Sequence, residues 1–398
     1  MIRFLRTTST RRLLALIAAA AAVVIGGTAL ALAAGGGGPK PPAEPLPVAV
    51  HDALTAPPVD GVSGRLKFTN HLISNSDVQG GNPVLSGASG RFWASADGHV
   101  RLELQADAGG DGGTSDTQVL SDGRRVTVFD SGSNTVYEAT LPKGHDGRKE
   151  SDKPPTLEQV KKAIARLAEH ASVGGAEPSN VAGEPAYTVR IEPKQHGGLL
   201  GGAELAWDAA HGTPLRLAVY AKGDSSPVLQ LEATDISYGP VSSSVFDVHP
   251  PSDAKVVDLS PDGGQPGARG HAAPVTGLDR VQGQVSFPIG APAELAGMQR
   301  DEVRLIRSED DPGALVTYGK GLDGIAVIEQ LTKHDSSSEP SRQDGQVTLP
   351  TVSINGTQAE ELATPLGTMI RFERSGVEYT VLGSVTATTA ETAARALG

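Results

Sequence analysis

The sequence contains no cysteine, few aromatic residues and no excess of basic residues. Without cysteine, it can have no disulfide, thiolate chemistry, Cys-ligated zinc or lipidated N-terminal cysteine. Aromatic residues make up 4% of the 398 residues, beside 49 Gly and 28 Pro, which indicates many turns and long linkers rather than a helical bundle. The net charge of −12 argues against general nucleic-acid binding and fits an anionic membrane surface poorly.

Motifs that carry chemistry are also scarce. The ten His residues are scattered, with no HExxH motif and no close pair, and neither a GxSxG elbow nor an SxxK motif is present. The loop at residues 110–116 has too few ligands for calcium, and residues 313–321 lack the spacing of a phosphate loop. We therefore predict no catalytic residue, no cofactor, no metal ion and no enzyme activity. A hydrolase remains the alternative, and it would need a His, carboxylate and hydroxyl cluster assembled by the fold.

The N-terminus has the pattern of a membrane-targeting segment. Arg3, Arg6, Arg11 and Arg12 precede a charge-free apolar run at residues 13–34. At ~1.5 Å rise per residue, a helix of this length could cross a hydrocarbon core of ~30 Å. The run ends in small residues that also suit signal peptidase. Residues 1–34 are therefore either a signal peptide or a membrane anchor, and both alternatives predict a protein that works outside the cytoplasm, secreted or anchored to the plasma membrane.

Composition divides the rest of the chain into four parts. Residues 35–47 are rich in Gly and then Pro, which predicts an extended linker that is not part of a core. A first domain follows at residues 48–252, and residues 253–273 form a second linker. Residues 274–398 contain several strand-like runs, VSFPI among them, and a final helix that Thr388 and Glu391 can cap, which predicts a smaller C-terminal α+β domain.

The stretch at residues 90–142 is the most regular part of the first domain. Apolar and polar residues alternate in GRFWASADGHVRLELQ and again in TQVLSDGRRVTVFDSGSNTVYEATLP, with tight polar turns between the runs. This alternation predicts antiparallel hairpins with one buried face and one wet face. With the later strands, up to residues 245–248, it gives a meander of roughly ten strands, and a sheet of that size must curl or close. The fold class is therefore mainly β.

One amphipathic helix interrupts the meander. Thr156 and Gln159 have the spacing of a capping box, and apolar residues recur on one face up to Ala171. Two interpretations remain open: a core helix packed on the sheet, or a lid over a cavity. As a lid, the helix would bring Ile164 and Leu167 to a ligand.

The hairpin stretch resembles the LolA/LolB lipoprotein-carrier superfamily, which includes the periplasmic sensor RseB. The runs GEPAYTVRIEPK, ELAWDAAHGTPLRLAVY and FDVHPP continue the same pattern, so the resemblance covers about residues 47–251. It implies a curved antiparallel sheet that forms an unclosed half-barrel with a helical lid and binds acyl chains on its concave apolar face. The chain differs from the secreted carriers in its N-terminal segment and its second domain, although RseB-like sensors also have a second domain.

The positions that match the family define a candidate apolar cavity. They are Phe68, Phe92, Trp93, Leu102, Leu104, Val128, Tyr137, Tyr187, Trp207, Leu215 and Leu217. Because Phe92 and Trp93 are neighbours on one strand, their side chains point to opposite faces and only one of them can line the cavity.

The resemblance and the export signal suggest two functions. In the first, the half-barrel binds an acyl chain or the lipid of a lipoprotein, as a carrier or an envelope sensor. A sixteen-carbon chain gains on the order of 10 kcal/mol on leaving water, at ~0.8 kcal/mol per CH₂. In the second, the chain is an envelope regulatory or scaffold module that binds another membrane protein without a lipid ligand.

Overall fold

The computed structural model describes nine stretches of the chain. They are residues 38–72, 87–107, 116–140, 154–194, 198–258, 275–307, 312–320, 324–332 and 349–397. Within these stretches, no helix is long and apolar enough to cross a membrane. The apolar run at residues 13–34 lies outside the described residues.

The first part of the described chain forms two helices and thirteen strands. In chain order they are α1 (Leu46–Thr55), β1 (Gly61–Asn70), β2 (Ala88–Ser95), β3 (Val100–Ala106), β4 (Asp116–Ser121), β5 (Arg125–Asp130), β6 (Thr135–Thr140), α2 (Leu157–His170), β7 (Ala171–Val173), β8 (Glu177–Val181), β9 (Glu184–Pro193), β10 (Leu200–Asp208), β11 (Pro214–Ala221), β12 (Leu229–Tyr238) and β13 (Lys255–Asp258). All thirteen strands belong to one sheet, which we call the first sheet.

The first sheet is unclosed, the second is a curled half-barrel, and the chain is mainly β, which confirms the predicted fold class. Its strand order is β13-β6-β5-β4-β3-β2-β1-β12-β11-β10-β9-β7, and β8 pairs with β9. Neighbouring strands are antiparallel except β13, which runs parallel to β6. The pairing of β1 with β12 joins the N-terminal hairpins to the later strands, so the first strand of the meander lies in the middle of the sheet.

Local sequence explains the turns and the second helix. Gly98 and Gly123 have φ values of 91° and 81°, as the predicted Asp-Gly hairpin turns require. At the start of α2 the capping box is complete, since the Thr156 amide donates to Gln159 Oε1 at 2.8 Å and the Gln159 amide donates to Thr156 Oγ1 at 3.4 Å.

Two segments between β12 and the second sheet differ from prediction. The strand expected at residues 245–248 is absent, because the amides of Val245 and Phe246 bond locally in a short 3₁₀ turn at Ser243–Val245. The predicted linker at residues 253–273 contributes β13, whose first amide, from Lys255, donates to the Asn134 carbonyl at 2.9 Å. Part of that predicted linker is therefore an edge strand of the first sheet.

The second part of the described chain forms an eight-stranded antiparallel sheet with two helices, which confirms the smaller α+β unit. Its elements are α3 (Leu278–Gln282), β14 (Glu294–Leu295), β15 (Met298–Arg307), β16 (Pro312–Tyr318), β17 (Ile325–Leu331), β18 (Thr351–Ile354), β19 (Thr357–Thr364), β20 (Gly367–Arg374), β21 (Val377–Gly383) and α4 (Ala387–Ala396). The strand order of this second sheet is β14-β15-β16-β17-β21-β20-β19-β18. A single apolar cluster fills it, and α4 contributes Ala390, Ala393 and Ala394.

Two local predictions in the second part were wrong. The run VSFPI, predicted as a strand, is irregular although Phe287 is buried in the core. Gln282 replaces the missing strand neighbour, because its side-chain amide donates to the Phe287 carbonyl at 2.8 Å and accepts from the Ile289 amide at 3.0 Å. The final helix is capped by Thr386 and not by Thr388, with the Thr389 amide donating to the Thr386 hydroxyl at 3.3 Å.

The predicted linker ahead of α1 is extended, but it is not free of the fold. Residues 38–44, which we call the strap, lie along β8 and β9. The Asn180 side chain donates to the Pro39 carbonyl at 2.9 Å, and the Tyr187 hydroxyl donates to the Pro42 carbonyl at 2.8 Å. Both donating side chains are buried, so the first sheet holds the strap through bonds that are shielded from water.

Candidate apolar binding face

Strand register defines one face of the first sheet, which we call the inner face. Leu66, Phe92, Leu102, Val119 and Val128 occupy this face on five successive strands from β1 to β5. They share one apolar cluster, which we call the Leu102 cluster and which also includes Leu104 and Tyr137. Phe92 is therefore the inward member of the Phe92–Trp93 pair.

Trp93 lies on the opposite, outer face. The guanidinium carbons of Arg91 and Arg101 lie 5.3 and 5.4 Å from the centroid of its ring, and Glu103 forms ion pairs with both arginines. Arg101 also donates to the Val245 carbonyl at 2.7 Å. Trp93 thus packs among charges, and the alternation of strand side chains excludes it from the inner face.

Tyr187 and Trp207 belong to a separate cluster beneath α1. Their ring centroids lie 6.1 Å apart, and Ala49 of α1 is buried against them. The cluster also contains Leu205 as a partly buried member. The first helix therefore covers the β9–β10 end of the sheet, and these two aromatic residues do not share the cluster of Leu102, Val128 and Tyr137.

Leu215 is fully buried in a third cluster, with Ala206, Ala233 and Ile236. Phe92 touches this cluster as well as the one around Leu102, so it links the two. The candidate residues from the sequence are thus distributed over several clusters.

A row of half-buried apolar side chains runs between the helix-covered end and the Leu102 cluster. Leu205 pairs with Leu217, Leu217 pairs with Leu231, and Leu231 pairs with Phe68. All four side chains keep part of their surface exposed. We call this row the apolar stripe. Since neighbouring strands lie ~4.8 Å apart, the stripe is about 14 Å long across four strands.

A second row lies beside the stripe and continues the same surface. Ala203 pairs with Val219, and Val219 pairs with Leu229. These three residues are also half-buried. The inner face therefore carries an apolar surface that its own side chains leave partly uncovered, and such surfaces on soluble units often mark a binding site.

Sequence reasoning found Phe68 and Leu217 but missed their neighbours Leu205, Val219, Leu229 and Leu231 in this surface. The signal was present in β12, where the run LQLEA places apolar residues at every second position. The cross-strand register that joins β12 to both β1 and β11 could not be read from the sequence.

Helix α2 contributes less to this face than a lid would. It packs on α1 and β7, with Val160 as its buried residue. Ile164 is half-buried, and Leu167 keeps 43% of its surface exposed. The two predicted lid residues thus lie at the helix-covered end of the sheet.

The outer face of β10–β12 carries charge in place of apolar surface. Arg216 donates to Glu204 Oε1 at 2.6 Å, and the guanidinium of Arg190 lies 4.4 Å from the ring centroid of Tyr220. Burial, and then the Glu204 carboxylate, raise the pKa of the Tyr220 hydroxyl. Burial lowers the pKa of Arg216, and Glu204 opposes that effect. A groove of about 360 Å³ beside Arg190 and Lys222 is likewise polar and does not suit an acyl chain.

A buried carboxylate joins a His and a hydroxyl group at the β10–β11 turn. His211 Nδ1 lies 3.2 Å from Asp208 Oδ1, and the Tyr238 hydroxyl donates to Asp208 Oδ2 at 2.9 Å. The imidazole of His211 stacks on the Tyr238 ring at 3.9 Å. Burial raises the pKa of Tyr238. Because the hydroxyl donates to the carboxylate and not to the imidazole, the cluster lacks the nucleophile–base contact of covalent catalysis.

Among the described residues, no group of His, Asp and Glu could hold a metal ion.

These features define a class: a mainly β protein of two sheets, of which the larger is unclosed and has an apolar inner face. Neither the protein-family models nor the curated proteins contain a match to the sequence.

Several solved structures are similar to this chain. "MucB in complex with MucA(peri)" is 17% identical, covers 87% of this chain and 95% of its own, and has a TM-score of 0.38. An uncharacterized conserved protein from Thermus thermophilus is 10% identical, with coverages of 53% and 96% and a TM-score of 0.32. A putative outer membrane lipoprotein-sorting protein domain from Vibrio parahaemolyticus is 10% identical, with coverages of 50% and 94% and a TM-score of 0.18. At these identities and TM-scores, the likenesses carry no argument about the function of this chain.

Proposed function

We propose that the first sheet binds an acyl chain, free or as the lipid of a lipoprotein, on its inner face outside the cytoplasm. The protein then acts as a carrier or an envelope sensor and not as an enzyme. The observation that carries this proposal is the apolar stripe, Leu205–Leu217–Leu231–Phe68, which remains partly exposed between the cluster under α1 and the cluster around Leu102.

The energetics of the stripe suit a linear apolar ligand. Burying apolar surface contributes about 25 cal/mol per Å², so side chains that fold half-exposed leave free energy that a ligand can recover. The stripe crosses strands in one direction and is bordered by the cluster under α1 and by the Leu102 cluster. A long, narrow, apolar molecule matches that outline, whereas the charged outer face around Glu204 and Arg216 does not.

A fluorescent fatty acid titrated into the purified, delipidated full chain tests the proposal. We expect saturable binding, and we expect Phe68→Gln to weaken it by roughly tenfold, because a polar side chain in the stripe removes about 1.4 kcal/mol of apolar contact. Lys67→Gln is the matched control, since Lys67 is exposed on the opposite face of the same strand and receives the same new residue.

Thermal unfolding without ligand separates binding from folding. If Phe68→Gln lowers affinity while its melting temperature stays close to that of Lys67→Gln, the stripe is the binding surface. Equal binding by the two variants, or no uptake by the unmodified chain, would refute the proposal. A chain that takes up no lipid but captures a membrane protein would instead support the regulatory or scaffold role.

A further inference from the structure

The strap sets the direction in which the N-terminal chain leaves the first sheet. Glu44 forms an antiparallel bridge with Ala176, at the start of β8, while Pro39 is bonded to Asn180 near the end of β8. The strap therefore runs antiparallel to β8. Followed towards the N-terminus, the chain passes Asn180 and leaves the sheet at that end.

Two turns lie at the same end of the sheet. The turn at residues 182–183 connects β8 to β9, and the turn at residues 209–212 connects β10 to β11. They are neighbours, because the Ala209 amide donates to the Pro185 carbonyl at 2.9 Å. We call this end of the sheet, together with the end of α1, the near rim.

The end of α1 reaches the near rim through a close contact. Gly212 has φ of 64°, and a Cβ at this position would lie 2.2 Å from the Ala53 carbonyl oxygen. This approach places the end of α1 against the turn at residues 209–212. Leu54 there is 43% exposed, and Pro57 and Pro58 beside it are exposed too. The near rim thus carries apolar surface that the described fold leaves open.

Chain length limits how far the near rim can lie from the apolar run at residues 13–34. Four residue steps separate Ala34 from Gly38, and even fully extended they span at most about 14 Å. The headgroup layer on each side of a bilayer is roughly 5–8 Å thick. If the run spans a membrane, Asn180 must therefore lie at or just above the headgroups.

We propose that the strap holds the first sheet in a fixed orientation on the bilayer that contains its own N-terminal segment, with the near rim facing the lipid. The bonds from Asn180 and Tyr187 to the strap fix this orientation, because the strap cannot swing without breaking them. The second sheet then lies away from the membrane, since its contact, from the Leu199 amide to the Ser384 carbonyl at 3.1 Å, is at the opposite end of β9 and β10. This attachment is independent of which ligand the inner face binds.

The absence of cysteine makes the orientation directly measurable. Ala210→Cys places a single label on the near rim, and Ser226→Cys places one on the exposed turn at the opposite end. The full chain, labelled with a fluorophore, is reconstituted into phosphatidylcholine vesicles that contain a nitroxide-headgroup lipid. We expect the label at position 210 to be quenched several-fold more than the label at position 226.

Two further variants test the strap itself. Asn180→Ala with Tyr187→Phe removes both donors, and Ser179→Ala is the control, because the Ser179 hydroxyl bonds to Ala186 and Thr188 and not to the strap. We expect the double variant to lose the quenching difference and Ser179→Ala to keep it. Inserting about ten Gly-Ser residues after Gly36 leaves the strap docked but lengthens the tether, and it should also abolish the difference.

Several outcomes would overturn the proposal. These are equal quenching at positions 210 and 226, and a difference that persists in the double variant. A label at position 210 that is shielded from a water-soluble quencher, but not quenched by the lipid, would assign the near rim to a protein partner and also contradict it.

Discussion

In the second sheet, Ile325, Val327, Ile370 and Val381 are sealed within one apolar cluster, whereas the apolar residues of the first sheet are divided among four clusters. The smaller sheet closes its core with α4, but the larger one has its described helices at one end. The half-exposed stripe lies between the clusters of the larger sheet. The second sheet is therefore filled by its own side chains, whereas the first sheet leaves apolar surface between its clusters partly uncovered.

Truncating one apolar residue in each sheet, buried in the second and half-exposed in the first, should give the largest contrast. Ile370→Ala leaves a cavity in the sealed cluster, and we expect it to lower the free energy of unfolding of the second sheet by about 3 kcal/mol. Leu217→Ala removes a half-exposed side chain, and its cost should be about 1 kcal/mol. Denaturant titration of each variant measures both losses of unfolding free energy. Equal losses would contradict the view that side chains fill the second sheet more completely than the first.

The sealed cluster also contains a carboxyl group. Glu329 is 0% exposed, and its Oε2 accepts from the Gly290 amide at 2.8 Å. Burial raises its pKa from 4.5 to about 7, against the lowering effect of the Gly290 bond. Burial, with the Glu329 carboxylate as a second cause, raises the pKa of Tyr318 to about 12 and also raises that of Tyr379, so both phenols stay neutral.

This carboxyl predicts a second sheet that is more stable in acid. Between pH 4.5 and about 7 the folded state holds a proton that the unfolded state has lost, so raising the pH lowers the free energy of unfolding, on the order of 3 kcal/mol in total. Glu329→Gln should flatten this dependence. The exposed Glu373→Gln should not, and an unchanged slope in Glu329→Gln would contradict the assignment. The free energy of unfolding of the first sheet should not fall in this way as the pH rises.

A bound fatty acid should stabilise the first sheet and not the second. At a free concentration one hundred times its dissociation constant, it should stabilise the first sheet by about 2.7 kcal/mol and leave the second sheet unchanged. Hydrogen exchange resolved by peptide measures each sheet separately. Protection that rises equally in β12 and in β21 would mean that the ligand does not discriminate between them.

Helix caps should give the smallest effects and should still differ between the two parts. Thr156→Ala removes the cap of α2, which has one buried residue, so we expect local fraying at a cost of about 1 kcal/mol or less. Thr386→Ala removes the cap of α4, which is packed into the sealed cluster, so its cost of about 1 kcal/mol should appear in the unfolding of the whole second sheet. Exchange rates within each helix would show whether the fraying is local or global.

Alternation and turn residues predicted most strands correctly, because hairpin pairing depends on residues close together in sequence. The same reasoning showed that Phe92 and Trp93 face opposite sides but could not tell which side is the core. That choice depends on cross-strand neighbours such as Leu102 for Phe92 and Arg101 for Trp93.

Segments whose backbone bonds are supplied by distant groups were beyond sequence reasoning. Residues 285–289 look like a strand, but the Gln282 side chain satisfies their backbone groups. β13 lies in a stretch that reads as linker and gains its regular structure from β6. The apolar stripe was predicted in part, since two of its four residues were named and the pairing that joins them was not.

The pairing of β1 with β12 has a kinetic consequence. The strands that form the middle of the first sheet come from the two ends of the meander, so the sheet cannot be completed until the chain has emerged as far as Tyr238. Such distant pairing folds slowly, in the range of milliseconds to seconds. The strap docks on β8 and β9, and its bond from Asn180 to Pro39 joins positions 141 residues apart. The centre of the first sheet and the docking of the strap therefore both depend on contacts between distant parts of the chain, and neither can form from a short N-terminal stretch alone.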